Sequence, residues 1–215
     1  MKKLFYILLI GSLLYACGKE EIGIFSVKLV SHSIIEISPT RLFTDGKEVF
    51  NAAVINKFTE DYREHFNINQ NNTSIAGKYS LIFVSKDSAV FGNSFGCTVH
   101  KNGKQFLFYS PLEKYYNSAS FEACSRYNIL KYTAEKKPSS LPNGYITREV
   151  QVGYGSYLSI EMSYLIYKVV VPPYGSHFSM CAAGVLNEFN ENIIPSIRSN
   201  DTIAVKEYRL RYVME

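Results

Sequence analysis

The chain has 215 residues, 47% apolar and 20% charged, with 17 Tyr, 14 Phe and no Trp. That balance excludes a disordered polyelectrolyte and fits one core burying about 70% of the unfolded surface, so folding requires neither disulfides nor a structural metal. The formal charge is +4; without Lys2 and Lys3, 21 basic residues face 19 acidic ones, and no run of five Lys/Arg occurs, which excludes the electrostatic footprint of nucleic-acid binding.

The first element is a positive Met1-Lys2-Lys3 followed by Leu4 to Leu14, apolar apart from Gly11 and Ser12. This is a secretory n-region and h-region, too short to span a bilayer as a helix. Leu14-Tyr15-Ala16-Cys17 comes next. It resembles the lipobox of bacterial lipoproteins, departing from it only in the bulk of Tyr15. The resemblance implies cleavage after residue 16 and lipidation of Cys17, with a tether over residues 17–24; chain length and the strand patterns below give a single β-rich domain over 25–215. Acyl chains on Cys17 would hold the protein at a membrane without crossing it. Gly18-Lys19-Glu20-Glu21 resembles the surface-export signal of Bacteroidota lipoproteins and implies the outer face of the outer membrane. The plain alternative is a solvated tether. Asp87-Ser88-Ala89 and Asp201-Thr202-Ile203 are similar to O-glycosylation sites of exported proteins in the same bacteria, which implies modification at Ser88 and Thr202. Ile37 to Glu48 resembles the N-terminal region of uncharacterised Bacteroidota lipoproteins, which bring no activity with them.

Phe25, Val27 and Leu29 alternate with polar residues and predict a first strand. One amphipathic helix is expected near residues 52–66. Asn51 is its N-cap, Phe50 and Ile55 its hydrophobic staple, and Val54, Ile55, Phe58, Tyr62 and Phe66 its apolar stripe, with Glu60, Asp61, Arg63 and Glu64 facing water. Tyr79 to Val84, apolar on both faces, predicts a central strand covered on one side by that helix. Asn102-Gly103 predicts a type I′ hairpin in which Val99 faces Phe106 and Cys97 faces Phe108. Short helices are expected near 111–117 and 183–190, with a surface loop and candidate boundary over 136–144. Leu158, Ile160, Met162, Tyr164 and Ile166 predict a strand with one wet face. On the last strand the apolar parity switches from Ile203 and Val205 to Tyr208, Leu210 and Tyr212, which predicts a bulge near Lys206. Together these give a mainly β (α+β) fold, an antiparallel sheet curved into a sandwich or partial barrel with one helix.

Chemistry is sparse. His32, His65, His100 and His177 lack metal-ligand spacing, and no phosphate cradle, nucleophile elbow or cofactor motif occurs. Cys97, Cys124 and Cys181 remain beside Cys17, allowing at most one disulfide among them. His177 and Cys181 would meet only on a helix, which Gly175 and Pro172-Pro173 oppose. The aromatic surplus nominates Tyr115, Tyr116, Tyr154, Tyr157 and Tyr174 as ligand-binding residues on loops. Three readings remain: a non-enzymatic surface binding module for a glycan, peptide or host protein, a lipocalin-like carrier of a small apolar ligand, and a hydrolase. The first is favoured.

Overall fold

The computed structural model describes residues 26–68, 76–92, 95–116, 126–140, 144–172 and 179–215. In chain order the first strands are β1 (Val27–Glu36), β2 (Arg41–Thr44), β3 (Lys47–Val49), β4 (Ser80–Ser85), β5 (Ser88–Phe91), β6 (Phe95–Asn102) and β7 (Gln105–Tyr109). They are followed by β8 (Glu113–Tyr116), β9 (Lys137–Pro138), β10 (Gly144–Thr147), β11 (Val150–Ser156), β12 (Ser159–Val171), β13 (Ser179–Val185) and β14 (Thr202–Met214). Every described ladder is antiparallel. The order β1-β4-β5-β6-β7-β11-β12-β14, with β14 returning to β1, closes an eight-stranded up-and-down barrel. Closure leaves no strand edge along the barrel wall. β8, β10 and β9 form a separate small sheet.

Period-two alternation fills the barrel. Leu81, Phe83, Phe106, Phe108, Ile160 and Met162 point inward and are all 0% exposed. The Tyr157 ring stands edge-on to Phe83 and to Phe106, with centroids 5.1 Å apart in both pairs, and Phe91 meets Phe108 at 5.2 Å. The described interior is therefore a packed aromatic core.

β12 and β14 are longer than the barrel is tall. Beyond it they continue as a wing, with β13 beside β12 on one edge and β2 then β3 beside β14 on the other. One face of the wing prolongs the barrel interior. Ile55, Phe58, Tyr62 and Phe66 pack on it, and the Tyr208 hydroxyl donates to the Phe66 carbonyl at 2.9 Å. The other face carries a second core, in which Leu165, Val169, Ile203 and Val205 lie under Tyr127, Ile129, Phe189, Ile193 and Ile197. The barrel thus has two unlike ends. The terminal mouth holds the start of β1, the end of β14 and the β4–β5, β6–β7 and β11–β12 turns. The helix end holds the wing and the helix.

Several expectations need correction. The last strand has no bulge at Lys206, because β14 pairs continuously with β12 from Val170↔Thr202 to Ser159↔Val213. The parity switch arises because Ile203 and Val205 face the second core, whereas Tyr208, Leu210 and Tyr212 face the first. The irregularity lies instead in β1, between Ser31 and Ser33. In the β6–β7 hairpin the turn is Gly103-Lys104, with φ +58° at Gly103 and none positive at Asn102, so it is the II′ kind. That moves the register by two: Val99 faces Phe108 and Lys101 faces Phe106. The I′ turn is at Asp45-Gly46, where φ is 50° and 68°, between β2 and β3.

The β4 strand is covered on one side only, and Val84 is 55% exposed. No helix forms at 113–116 or 179–185, which are β8 and β13; after β13 the next helical segment is a 3-10 turn, Glu191–Ser196, and residue 117 lies outside the described residues. The expected helix is present but interrupted: α1 (Ala52–Thr59), a 3-10 turn (Glu60–Tyr62) and α2 (Arg63–Phe66). Asn51 caps it through its side-chain oxygen, which accepts from Ala53 and Val54. Phe50 makes no staple, being 85% exposed. The interruption has a local cause. Thr59 Oγ donates to the Ile55 carbonyl at 3.0 Å, and Lys168 Nζ donates to the Phe58 carbonyl at 2.6 Å, which would otherwise accept from Tyr62.

Candidate functional site

A cleft of about 450 Å³ opens at the helix end of the barrel. Its position follows from strand lengths. Along one edge of β12 the β11 ladder stops at Met162 and the β13 ladder begins at Leu165, so Ser163 and Tyr164 stand in a gap. The chain after β13 turns across this gap, and the Val152 amide donates to the Leu186 carbonyl at 3.0 Å. Asn187, 1% exposed, fixes the junction: its amide nitrogen donates to the Tyr132 and Val150 carbonyls at 2.8 and 2.7 Å. Its side-chain oxygen accepts from the Tyr132 and Glu188 amides. With all its hydrogen bonds made, this buried amide is a rigid strut.

Leu130, Tyr132, Ala134, Val150, Tyr164 and Leu186 give the cleft a largely apolar lining. Gly184 is required beside Tyr164, since a Cβ there would run into the phenol, with its Cζ 2.9 Å away. Lys136 and Arg148 line the same cleft and are drawn onto neighbouring rings, 4.7 Å from the Tyr145 centroid and 4.5 Å from that of Tyr109. Against this lining one polar atom stands out. Gln151 Oε1 is buried and has no hydrogen-bond partner. A buried acceptor left unpaired costs about 1–3 kcal/mol, and a ligand donor reaching it would recover that.

A second, polar hollow of about 230 Å³ lies on the outer wall. Glu188, 8% exposed, accepts there from Lys131 Nζ at 2.8 Å, Ser163 Oγ at 3.1 Å and Arg209 Nη2 at 3.3 Å. Burial pushes the Glu188 carboxyl up, but the hydrogen bonds from Lys131, Tyr154 and Ser163, with the Lys131 charge, outweigh it and hold the group below the ordinary value. Arg209 lies 4.8 Å over the Tyr154 ring, and the Tyr154 hydroxyl meets Tyr132 and Gln105, each at 3.3 Å. Its polar groups are paired with one another, so it ties the wall of the cleft to the barrel.

Of the nominated residues, Cys17, Tyr174, His177 and Cys124 lie outside the described set. So do the side chains of Tyr115 and Tyr116, whose backbones pair with Tyr145 and Gly144. Tyr154 belongs to the outer-wall network and Tyr157 to the core at the terminal mouth, so the fold does not bring these two together. Ser88 opens β5 with its hydroxyl 2.8 Å from that of Ser85. Thr202 opens β14 behind Asp201, which is 1% exposed and accepts from the Tyr127 hydroxyl and Arg126. Cys97 is a free, buried thiol, and Cys181 is disulfide-bonded to a cysteine outside the described residues. A disulfide sulfur supplies no thiolate, which removes the His177–Cys181 nucleophile considered from sequence. Among the described residues no three His, Cys, Asp or Glu side chains gather as metal ligands.

Gln151, Tyr132, Tyr164 and Gly184 were not nominated from sequence. Only the gap between two ladders on β12 makes them neighbours. No family model, curated protein or solved structure matches the chain.

Proposed function

We propose that this chain is a lipid-anchored, outward-facing binding protein that takes a small, largely apolar ligand bearing a hydrogen-bond donor in the cleft at the helix end of its barrel. The observation that carries the reading is the buried, unpaired side-chain carbonyl of Gln151, a residue that lines an apolar cleft of about 450 Å³, within the usual range of about 300–1,000 Å³ for small-molecule sites. The closed barrel is compatible with lipocalin-like binding, and the packed interior shifts the ligand to the barrel's end. The anchor rests on Leu14-Tyr15-Ala16-Cys17 behind a charged end and a short apolar run, and the outer-membrane surface rests on Lys19-Glu20-Glu21.

N-phenyl-1-naphthylamine is a suitable probe, because it combines two apolar ring systems with a single N–H. The full chain is expected to raise its fluorescence saturably. Ala134→Trp, which fills the cleft, should abolish binding, and Gln151→Leu should weaken it roughly tenfold, the equivalent of one buried hydrogen bond. Binding that survives Ala134→Trp unchanged, or no binding at all, overturns the assignment.

A further inference from the structure

The two ends of the barrel differ in what they expose, and the terminal mouth has the character of a surface that meets lipid. Residue 26 enters β1 there, nine residues after Cys17. Nine residues span at most about 30 Å when fully extended, so an acylated Cys17 keeps this mouth close to the bilayer. Around it, among the described residues, stand Lys28, Lys86, Lys101 and Lys104, all exposed, against Asp87 and Glu215, and Lys28 is ion-paired to Glu215 at 2.5 Å.

Apolar side chains share this rim. Leu158 is 52% and Met214 60% exposed, and the Met214 amide donates to the Leu158 carbonyl at 3.2 Å, so the two are neighbours. The Tyr157 hydroxyl donates to the Lys86 carbonyl at 3.4 Å, which brings the β4–β5 turn against the β11–β12 turn. Lys101, itself exposed, lies across the mouth with its ammonium 5.2 Å over the Tyr157 ring and 5.6 Å over that of Phe106. Lysines around a small apolar rim match an interface of anionic headgroups over acyl chains.

We infer that the terminal mouth is the membrane-apposed face, seated on an anionic lipid surface through Lys86, Lys101, Lys104, Leu158 and Met214, and that the cleft at the opposite end points away from the membrane. The inference rests on the anchor assigned to Cys17 under the proposed function. It adds an orientation that a lipid on a flexible tether does not impose by itself.

The test uses the full acylated chain in vesicles of phosphatidylcholine and phosphatidylglycerol, with a nitroxide on either Ser156→Cys at the terminal mouth or Lys57→Cys on α1. Cys97 is buried and Cys181 is bonded, so neither competes for the label. Collision with a water-soluble nickel chelate is expected to be several-fold slower at 156 than at 57. Lys86→Glu with Lys104→Glu should raise the rate at 156 to that at 57 while the chain still floats with the vesicles, as should high salt. Equal rates in the unsubstituted chain, with flotation intact, overturn the orientation and leave the anchor standing. A chain that does not float with vesicles overturns the anchor, and the orientation with it.

Discussion

Lys168 Nζ lies 2.6 Å from the Phe58 carbonyl oxygen, joining the inner face of β12 to the middle of the helix. The ammonium also stands 4.7 Å over the Phe58 ring and 5.4 Å over that of Tyr62, with Asp61 at 3.5 Å. A buried lysine is costly unless its protons are used, and here each contact comes from the segment it holds. The same bond withholds the Phe58 carbonyl from the helix ladder and converts residues 60–62 to a 3-10 turn.

Lys168→Met should therefore lower stability by about 1–3 kcal/mol, since it removes the charge-assisted bond to the Phe58 carbonyl that ties the helix to β12. Urea midpoints measure the loss. Amide exchange over 52–66 should rise more than over β6 and β7, and a uniform rise would contradict the idea that Lys168 acts through the helix.

Phe106→Ala should destabilise by about 3–5 kcal/mol, because a fully buried ring is replaced by a void in a closed barrel that relaxes little. The cavity would be lined by Phe83, Phe108 and Tyr157 and should stay dry. Benzene is expected to raise the melting temperature of the variant and not of the natural chain. If both respond equally, the interior is not as closely packed as the aromatic contacts indicate.

How much of this was legible in the sequence depends on whether a residue's role is set by its neighbours along the chain. Ile160, Met162 and Ile166 are inward because one face of β12 lines the core, and Asn51 caps α1 by a contact two and three residues away, so both are readable locally; Leu158, in the turn before β12, is exposed, and Ser163 and Leu165 are buried on the face expected to be wet. The exchange of faces on β14 is not local. Ile203 and Tyr208 are both buried, on opposite sides, because a second layer built from residues 127–129 and 189–197 covers only the wing. Asp45-Gly46 did carry a hairpin signal as strong as that of Asn102-Gly103, yet only the former pair takes positive φ at both positions. The cleft was illegible for a stronger reason: Gln151 and Tyr164 are ordinary strand positions until β11 and β13 fail to meet along β12.

The Glu188 network predicts a pH dependence of defined sign. Its folded-state value is depressed, so the contribution to stability is fully present above the ordinary glutamate range, about 4.3, and is lost as pH falls below that through the folded value. Glu188→Gln should flatten the acid limb of the stability curve, and urea titrations between neutral pH and the acid transition measure this. An unchanged limb would mean that other carboxylates carry it.

Cys97 gives the corresponding prediction on the alkaline side. Its thiol is buried in the barrel, where it donates to the Ala89 carbonyl at 3.3 Å, and burial pushes it up to about 11. A raised value keeps the group neutral: the stabilisation is complete below the unfolded thiol value, about 8.5, and is lost as pH rises through the folded one. Native protein should therefore resist a disulfide reagent such as dithionitrobenzoate at Cys97 under mildly alkaline conditions, while unfolded protein reacts at once. Since reaction requires opening of the barrel, the native rate should accelerate in Phe106→Ala in proportion to the stability lost, provided reclosing outpaces modification. Modification equally fast in native and unfolded chains would place Cys97 in solvent and contradict the closed ladder β5-β6-β7 around it.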